Sequence, residues 1–338
     1  MSSQWRKKML YKRSKIVAKQ KFELSESYKE EIRNHAYLGK KGYTIPKSIM
    51  SKEDLDDLYE ELNVKPVSSN VLYGVAANEG AFPVYRENTN KIYIPRFFGI
   101  GRYGLPNKSE ITQGESISLE FPKPLRDYQE KIIDVYMKHI NNPICVGAEQ
   151  KGNGGILEVP CGRGKTVMAL KIISNVKKKA LIIVHKEFLM NQWIERIDEF
   201  LPGAKIGKIQ GPIFDVEGKD IVIGMLQTLY DRALPEKAFD SFGLTIIDEV
   251  HRIGSEQFSK TLLRVLSPNM LGISATVDRK DKLTCVLYMF IGPKIYTEAR
   301  KDEDPVCVRS IEYISSDSQF NETEYDFKGQ AKYSTMKQ

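Results

Sequence analysis

Pro160-Cys161-Gly162-Arg163-Gly164-Lys165-Thr166 stands between a short apolar run, Gly155 to Val159, and a helical pattern from Thr166 to Val176. A strand that turns through glycines into a helix is the setting in which backbone N–H groups and a helix N-terminus converge on phosphate oxygens. Gly162 and Gly164 permit the close wrap of the backbone. Lys165 is placed to neutralise the β- and γ-phosphates of a nucleotide and Thr166 to set its hydroxyl on Mg²⁺, while Pro160, Cys161 and Arg163 complete the loop. Taken alone, the segment is also readable as a plain glycine turn before a helix.

Further along, Leu244-Thr245-Ile246-Ile247-Asp248-Glu249-Val250-His251 puts two carboxylates at the end of an apolar strand. In a parallel sheet such an end lies beside the phosphate loop, so Asp248 is a candidate Mg²⁺ ligand and Glu249 a candidate for polarising an attacking water. Leu271-Gly272-Ile273-Ser274-Ala275-Thr276 again closes a strand with small hydroxyl residues. Each is separately readable as an ordinary strand end, and their order after Lys165-Thr166 gives them weight.

Outward from these motifs, short apolar runs alternate with helical patterns. Candidate strands are Gly155 to Val159, Ala180 to His185, Lys205 to Ile209, Asp220 to Gly224, Leu244 to Asp248 and Met270 to Ser274. Continuous runs such as Leu181-Ile182-Ile183-Val184 suit strands covered on both faces. The fold class expected is therefore α/β, a P-loop domain with a mostly parallel sheet flanked by helices, over residues 119–300. Phe121-Pro122-Lys123-Pro124 reads as the linker into it, and Leu125 to Ile140 as its first helix.

A small α+β accessory domain is expected before it, at 46–118. Ser51, with Glu53 and Asp54 behind it, opens a short helix through Leu62. Phe82 to Arg86 and Lys91 to Gly99 read as two strands around the turn Glu87 to Asn90. The aromatics here, interleaved with Arg86, Lys91, Arg96 and Arg102, suit either base stacking with phosphate contact or a small β-core with charges outside. Residues 1–45 read as a basic tail or appended helices, and 301–338 as a linker towards an absent second lobe.

The 338 residues suit two domains plus tails, and 41% hydrophobic with 28% charged residues is the composition of a folded chain. The net charge of +7 is unevenly placed, because eight basic residues from Arg6 to Lys21 precede the first acid, Glu23. That run is readable as phosphate-backbone contact, as a localisation signal or as a solvated tail. Cys145, Cys161, Cys285 and Cys307 show neither metal-ligand spacing nor a disulfide pattern, so an intracellular, reducing compartment is expected. No apolar run approaches the about 20 residues of a membrane span, so no membrane partner is expected.

Loop, paired acids and Ser-Ala-Thr occur in the order and spacing of superfamily II helicases and translocases, which the chain resembles over about residues 121–300. Those proteins use a shortened loop ending in Gly-x-Gly-Lys-Thr or Ser, which accounts for Val159 where the general pattern has glycine. Leu125-Arg126-Asp127-Tyr128-Gln129, Gln192-Trp193 and Gly272 to Thr276 followed by Arg279 and Asp281 are similar to the XPB/UvsW-like branch, which includes relatives encoded by large DNA viruses.

The resemblance implies that Arg126 and Gln129 approach adenine, and that Gly162, Gly164, Lys165 and Thr166 bind the phosphates of ATP with Mg²⁺. It implies that Asp248 and Glu249 serve metal and water, and that His251 relays to Ser274 and Thr276, with Ala275 between them, to couple nucleotide state to domain motion. His185, Lys186, Gly211, Gln227 and Thr228 match places where the family grips a nucleic-acid strand, although His185 also reads as a strand-end histidine and Gln227-Thr228 as a helix cap.

An ATP-dependent helicase or translocase acting on DNA, rather than RNA, is the function expected through this branch. The resemblance implies transcription or repair machinery as a partner class, and the nucleus, or for a viral member the cytoplasm or virion, as the compartment. The family's arginine finger lies in a second RecA-like lobe, expected in the same longer protein or as a separate one, so these residues alone are expected to bind nucleotide weakly and turn it over slowly or not at all. Two alternatives stay open: a double-strand translocase that does not separate strands, and a non-hydrolysing module that binds nucleic acid or a polymerase.

Overall fold

The computed structural model describes residues 23–66, 80–142, 153–235, 237–250, 256–279 and 283–298. Two sheets organise them. The first is built around two hairpins: β1 (Tyr37–Gly39) with β2 (Gly42–Pro46), and β5 (Arg86–Glu87) with β6 (Lys91–Ile94). Strand β2 pairs antiparallel with β6, and β1 runs parallel to β7 (Lys108–Ser109), which gives the order β5-β6-β2-β1-β7. A separate two-residue ribbon joins β3 (Asn63–Val64) to β4 (Phe82–Pro83).

Three helices cover this sheet. Helix α1 (Glu26–His35) is capped by Ser25 and α2 (Lys52–Glu61) by Ser51, whose hydroxyl accepts from the Asp54 N–H at 3.1 Å as its spacing predicts. Helix α3 (Arg96–Tyr103) starts directly after Pro95. Ile32, Leu38, Tyr43, Ile45, Leu58, Ile92, Ile94 and Tyr103 form the core between them.

Two readings of this region change. Residues 37–46, expected at the end of a tail, form the central hairpin, and Gly39-Lys40-Lys41-Gly42 is its turn. The second expected strand stops at Ile94, because Pro95 has no N–H for the ladder and its fixed φ suits a helix start, so Phe97 and Phe98 are helical. The turn between the strands lies where it was expected, with the Asn88 carboxamide oxygen accepting from the N–H groups of Asn90 and Lys91.

Asp54 is fully buried here, and its carboxylate accepts from Tyr28 Oη at 3.0 Å, Tyr103 Oη at 2.7 Å and Arg102 Nη2 at 2.7 Å. Removing one partner of a buried ion pair leaves the other charge uncompensated. Arg102→Ala is therefore expected to cost about 3 kcal/mol of stability, read as a lower denaturant midpoint; an unchanged midpoint would show that the two tyrosine hydroxyls suffice.

The second sheet has eight strands, ordered β11-β10-β12-β9-β13-β14-β8-β15. They are β8 (Gly154–Glu158), β9 (Ala180–Val184), β10 (Ile206–Gln210), β11 (Ile213–Phe214), β12 (Ile221–Met225), β13 (Leu244–Asp248), β14 (Asn269–Ser274) and β15 (Lys294–Thr297). All pairs are parallel except the hairpin β10–β11.

Strand alternation sends Leu157, Ile182, Ile246, Leu271 and Ile273 to one face, against α4 (Asp127–Asn141), α5 (Lys165–Val176) and α6 (Glu187–Phe200). Ile156, Leu181, Ile183, Ile247 and Met270 point the other way, against α7 (Leu226–Asp231), α8 (Glu256–Leu262) and α9 (Thr284–Ile291). Burial on both faces is why these strands read as unbroken apolar runs. Among the described residues no helix is long and apolar enough to cross a membrane.

The two sheets are tied together. Arg96, 4% exposed, donates to the carbonyls of Ser267 at 3.2 Å and Pro268 at 3.0 Å. Arg86 donates to the Lys260 carbonyl at 2.9 Å, and Lys40 meets Asp240 at 2.6 Å.

Candidate nucleotide site

The chain leaves β8 and returns at β9, so a gap opens between these strands that β13 and β14 later fill. The carboxyl-terminal tips of β8, β14 and β13 thereby lie side by side, at the kind of switch point where open α/β sheets bind ligands. Everything in the site follows from what sits on those tips.

After β8 the loop runs through Gly162 and Gly164, both left-handed at φ 81° and 77°. Gly164 has a second reason to lack a side chain, since a Cβ there would lie 2.5 Å from Gln129 Nε2. Helix α5 then begins with no side-chain cap and no acid in its first turn. The helix dipole and those first N–H groups are thus presented to an incoming anion together with Lys165.

Helix α4 braces this loop from outside. The Gln129 carboxamide accepts from the Arg126 N–H at 3.0 Å and donates to the Arg163 carbonyl at 3.1 Å, which also accepts from Tyr128 Oη at 3.2 Å. The Arg163 guanidinium lies 5.3 Å from the Tyr128 ring centroid and 3.3 Å from the Glu298 carboxylate. Gln129 is thus brought to the loop with its carboxamide engaged by backbone, while the Arg126 guanidinium reaches Tyr128 Oη at 3.2 Å.

At the tip of β13, Asp248 is 7% exposed and accepts from the Trp193 indole N–H at 2.9 Å. Burial pushes its carboxyl above the ordinary value, the Glu249 charge reinforces this, and the Trp193 bond and the Lys165 charge oppose it. Glu249 follows at φ 52°, one of two left-handed residues other than glycine among those described. Such backbone is costly for a side-chain-bearing residue and clusters at functional sites. Its carboxylate stands 3.7 Å from Lys165 Nζ on one side and 3.5 Å from Ser274 Oγ on the other.

Ser274 in turn donates to the Thr276 carbonyl at 2.6 Å and accepts from the Thr276 N–H. Ala275 is half-buried and Thr276 exposed. His251 lies outside the described residues. The loop, the two acids and the Ser-Ala-Thr segment therefore gather at one edge of the sheet. Among the described residues no three acidic, imidazole or thiol side chains gather to cage a metal. A hydroxyl at Thr166 and a carboxylate at Asp248 fit instead the sparse donor set that Mg²⁺ takes when phosphate oxygens and water complete its shell.

The remaining expected residues form a second edge, on the adjacent strands β9, β12 and β10. Gln227 donates to the His185 carbonyl at 3.2 Å, and the Gly211 N–H donates to Thr228 Oγ1 at 2.9 Å. Gln210 reaches Glu187 at 3.0 Å, which stitches the hairpin to the start of α6. His185, Lys186, Gly211, Gln227 and Thr228 thus share one surface, with Lys186 and Gly211 exposed.

Sequence reasoning missed what Trp193 does: the Gln192-Trp193 pair is visible, but its partner lies 55 residues away. Glu158 was also passed over. It accepts from the Val277 N–H at 2.7 Å and from Lys294 Nζ at 2.9 Å, holding the loop after β14 and the edge strand β15 to the tip of β8.

A glycine loop turning into an uncapped helix, on a sheet where the acidic strand sits one place beyond the Ser-Ala-Thr strand, is the plan of a RecA-like P-loop lobe. Residues 122–279 match the family described as "Type III restriction enzyme, res subunit". The chain is 32% identical over 281 residues to a putative ATP-dependent RNA helicase of Acanthamoeba polyphaga mimivirus, covering 82% of this chain and 52% of that protein. It is 31% identical over 214 residues to a DNA 3'-5' translocase of Sulfurisphaera tokodaii, covering 60% of this chain and 44% of that one. The chain spans about half the length of these curated relatives. Among solved structures it is similar to the UvsW helicase from bacteriophage T4 at 16% identity, with a TM-score of 0.48, covering 73% of this chain and 94% of that one.

Proposed function

We propose that this chain is the ATP-binding lobe of a helicase or translocase that couples ATP hydrolysis to movement along DNA. The observation that carries the reading is the position of Glu249, between Lys165 of the loop and Ser274 of the neighbouring strand tip. One carboxylate thereby senses both the phosphate-binding cation and the segment through which nucleotide state reaches the rest of the molecule.

In this reading the loop N–H groups and Lys165 bind the β- and γ-phosphates, and Thr166 and Asp248 hold Mg²⁺, which supplies charge neutralisation on the phosphates. Glu249 orients the attacking water and accepts its proton, and Arg126 and Gln129 face the adenine side of the loop. His185, Lys186, Gly211, Gln227 and Thr228 grip the backbone of a strand crossing the β9–β12–β10 edge. A second lobe closing over both edges would complete the charge stabilisation of the transition state.

The test is ATP turnover by the protein with its second lobe present, measured with and without DNA and, separately, RNA. Stimulation by DNA that is lost in Lys186→Ala, with nucleotide binding intact, supports the assignment of both edges. Stimulation by RNA alone would move the substrate to RNA, and nucleotide binding that survives removal of the loop lysine would overturn the site.

Trp193 gives a sharper test of the metal assignment. Groups that hold a metal-binding carboxylate in place are worth about 10–100-fold in metal affinity. Trp193→Phe keeps an aromatic ring in a side chain that is 1% exposed and deletes the donor to Asp248 together with the smaller ring that carries it. It is expected to raise the Mg²⁺ concentration needed for nucleotide binding by about tenfold. An unchanged Mg²⁺ dependence would remove Asp248 from the metal site.

A further inference from the structure

A cavity of about 230 Å³ lies where the β1–β2 turn meets the large lobe, away from the nucleotide site. Lys41, Arg86 and Arg264 line it, over an apolar floor of Leu234, Phe239 and Leu263. Lys40 also borders it but is paired with Asp240. Among the described residues, Lys41, Arg86 and Arg264 make no ion pair with a carboxylate.

Both guanidiniums are held in place by backbone. Arg86 donates to the Lys260 carbonyl at 2.9 Å, and Arg264 to the carbonyls of Leu229 and Tyr230 at 3.2 Å each and of Arg232 at 2.9 Å. Burial, and then the Arg264 charge, holds the Arg86 guanidinium below its ordinary value. Like charges fixed beside one another over an apolar floor are costly unless an anion joins them.

We propose that this cavity is a second anion site that binds a phosphate group between Arg86, Arg264 and Lys41. Planar guanidiniums offer paired donors that match phosphate oxygens, and Lys41 adds a point charge from the exposed turn. A single carboxylate would leave the excess of positive charge largely standing, whereas a phosphate offers more oxygens to share among three cations. The phosphate has two possible sources, the backbone of a nucleic acid or a free polyphosphate. The site does not depend on the reading of Lys165.

The experiment uses the full chain carrying Lys165→Ala, so that the glycine loop does not contribute, and adds Lys41→Glu or Arg86→Gln. Tripolyphosphate binding is followed by calorimetry, and binding of a short DNA duplex by anisotropy at several salt concentrations. A loss of about tenfold for tripolyphosphate in both variants assigns a free phosphate ligand. A comparable loss for duplex, with a salt dependence shallower by about one ion per charge removed, assigns the nucleic-acid backbone. Affinity for both probes unchanged in Lys41→Glu overturns the proposal; Lys41 is exposed in a turn, so this arm stands even if Arg86→Gln fails to fold. If Lys165→Ala leaves ATP binding intact, the nucleotide site is wrong and this site is untouched.

Discussion

Glu249→Gln is expected to lower ATP turnover by about 10²–10⁴-fold while nucleotide affinity holds. The substitution keeps the shape of the side chain and its reach towards Ser274, 3.5 Å away, but removes the negative charge that orients water and takes its proton. It also removes the partner of Lys165 at 3.7 Å, which frees that ammonium for phosphate. Binding is therefore expected to stay equal or tighten while the chemical step fails. The two are separated by titrating a fluorescent ATP analogue and by measuring steady-state phosphate release where the unsubstituted protein turns over. Equal loss of binding and turnover would make Glu249 a ligand-positioning group and not the base.

Lys165→Ala is expected to fail one step earlier. The ammonium is the only side-chain cation that the loop places against both strand-tip acids, and its charge opposes the rise in the Asp248 carboxyl. Its loss takes that charge from between two neighbouring carboxylates and the triphosphate, leaving backbone dipoles and Mg²⁺ to offset them, so nucleotide affinity falls by about 10²-fold or more. Lys165→Arg is not expected to rescue it, because a planar fork does not fit where a compact ammonium reaches between β- and γ-oxygens. A wild-type titration curve for Lys165→Ala would show that the phosphates bind elsewhere.

Much of this is legible in the sequence alone. Continuous apolar runs such as Leu181 to Val184 announce strands covered on both faces, and a glycine loop followed by Lys165-Thr166 announces the turn into α5. The order of the motifs places Asp248 and Glu249 near the loop because parallel topology leaves few alternatives. What stayed hidden depends on long-range packing. Phe97-Phe98 has the composition of a strand, and its helix is set by Pro95 and by packing of Phe98 against the core that holds Tyr43. The hairpin at 37–46 hides behind the charges of its own turn. Nothing local marks the left-handed backbone of Glu249 or the bond from Trp193 to Asp248, and the cations of the second anion cavity come from three distant segments.

The central claim is that the loop of Lys165 and the strand tip of Asp248 and Glu249 surround one triphosphate and one metal ion. A crystal structure with a non-hydrolysable ATP analogue and Mg²⁺ tests it directly. The expected result places the β- and γ-phosphates on the N–H groups before α5 and on Lys165, with the metal between Thr166 and Asp248 and a water against Glu249. Phosphates bound away from the loop, or a metal that Asp248 does not approach, would contradict it.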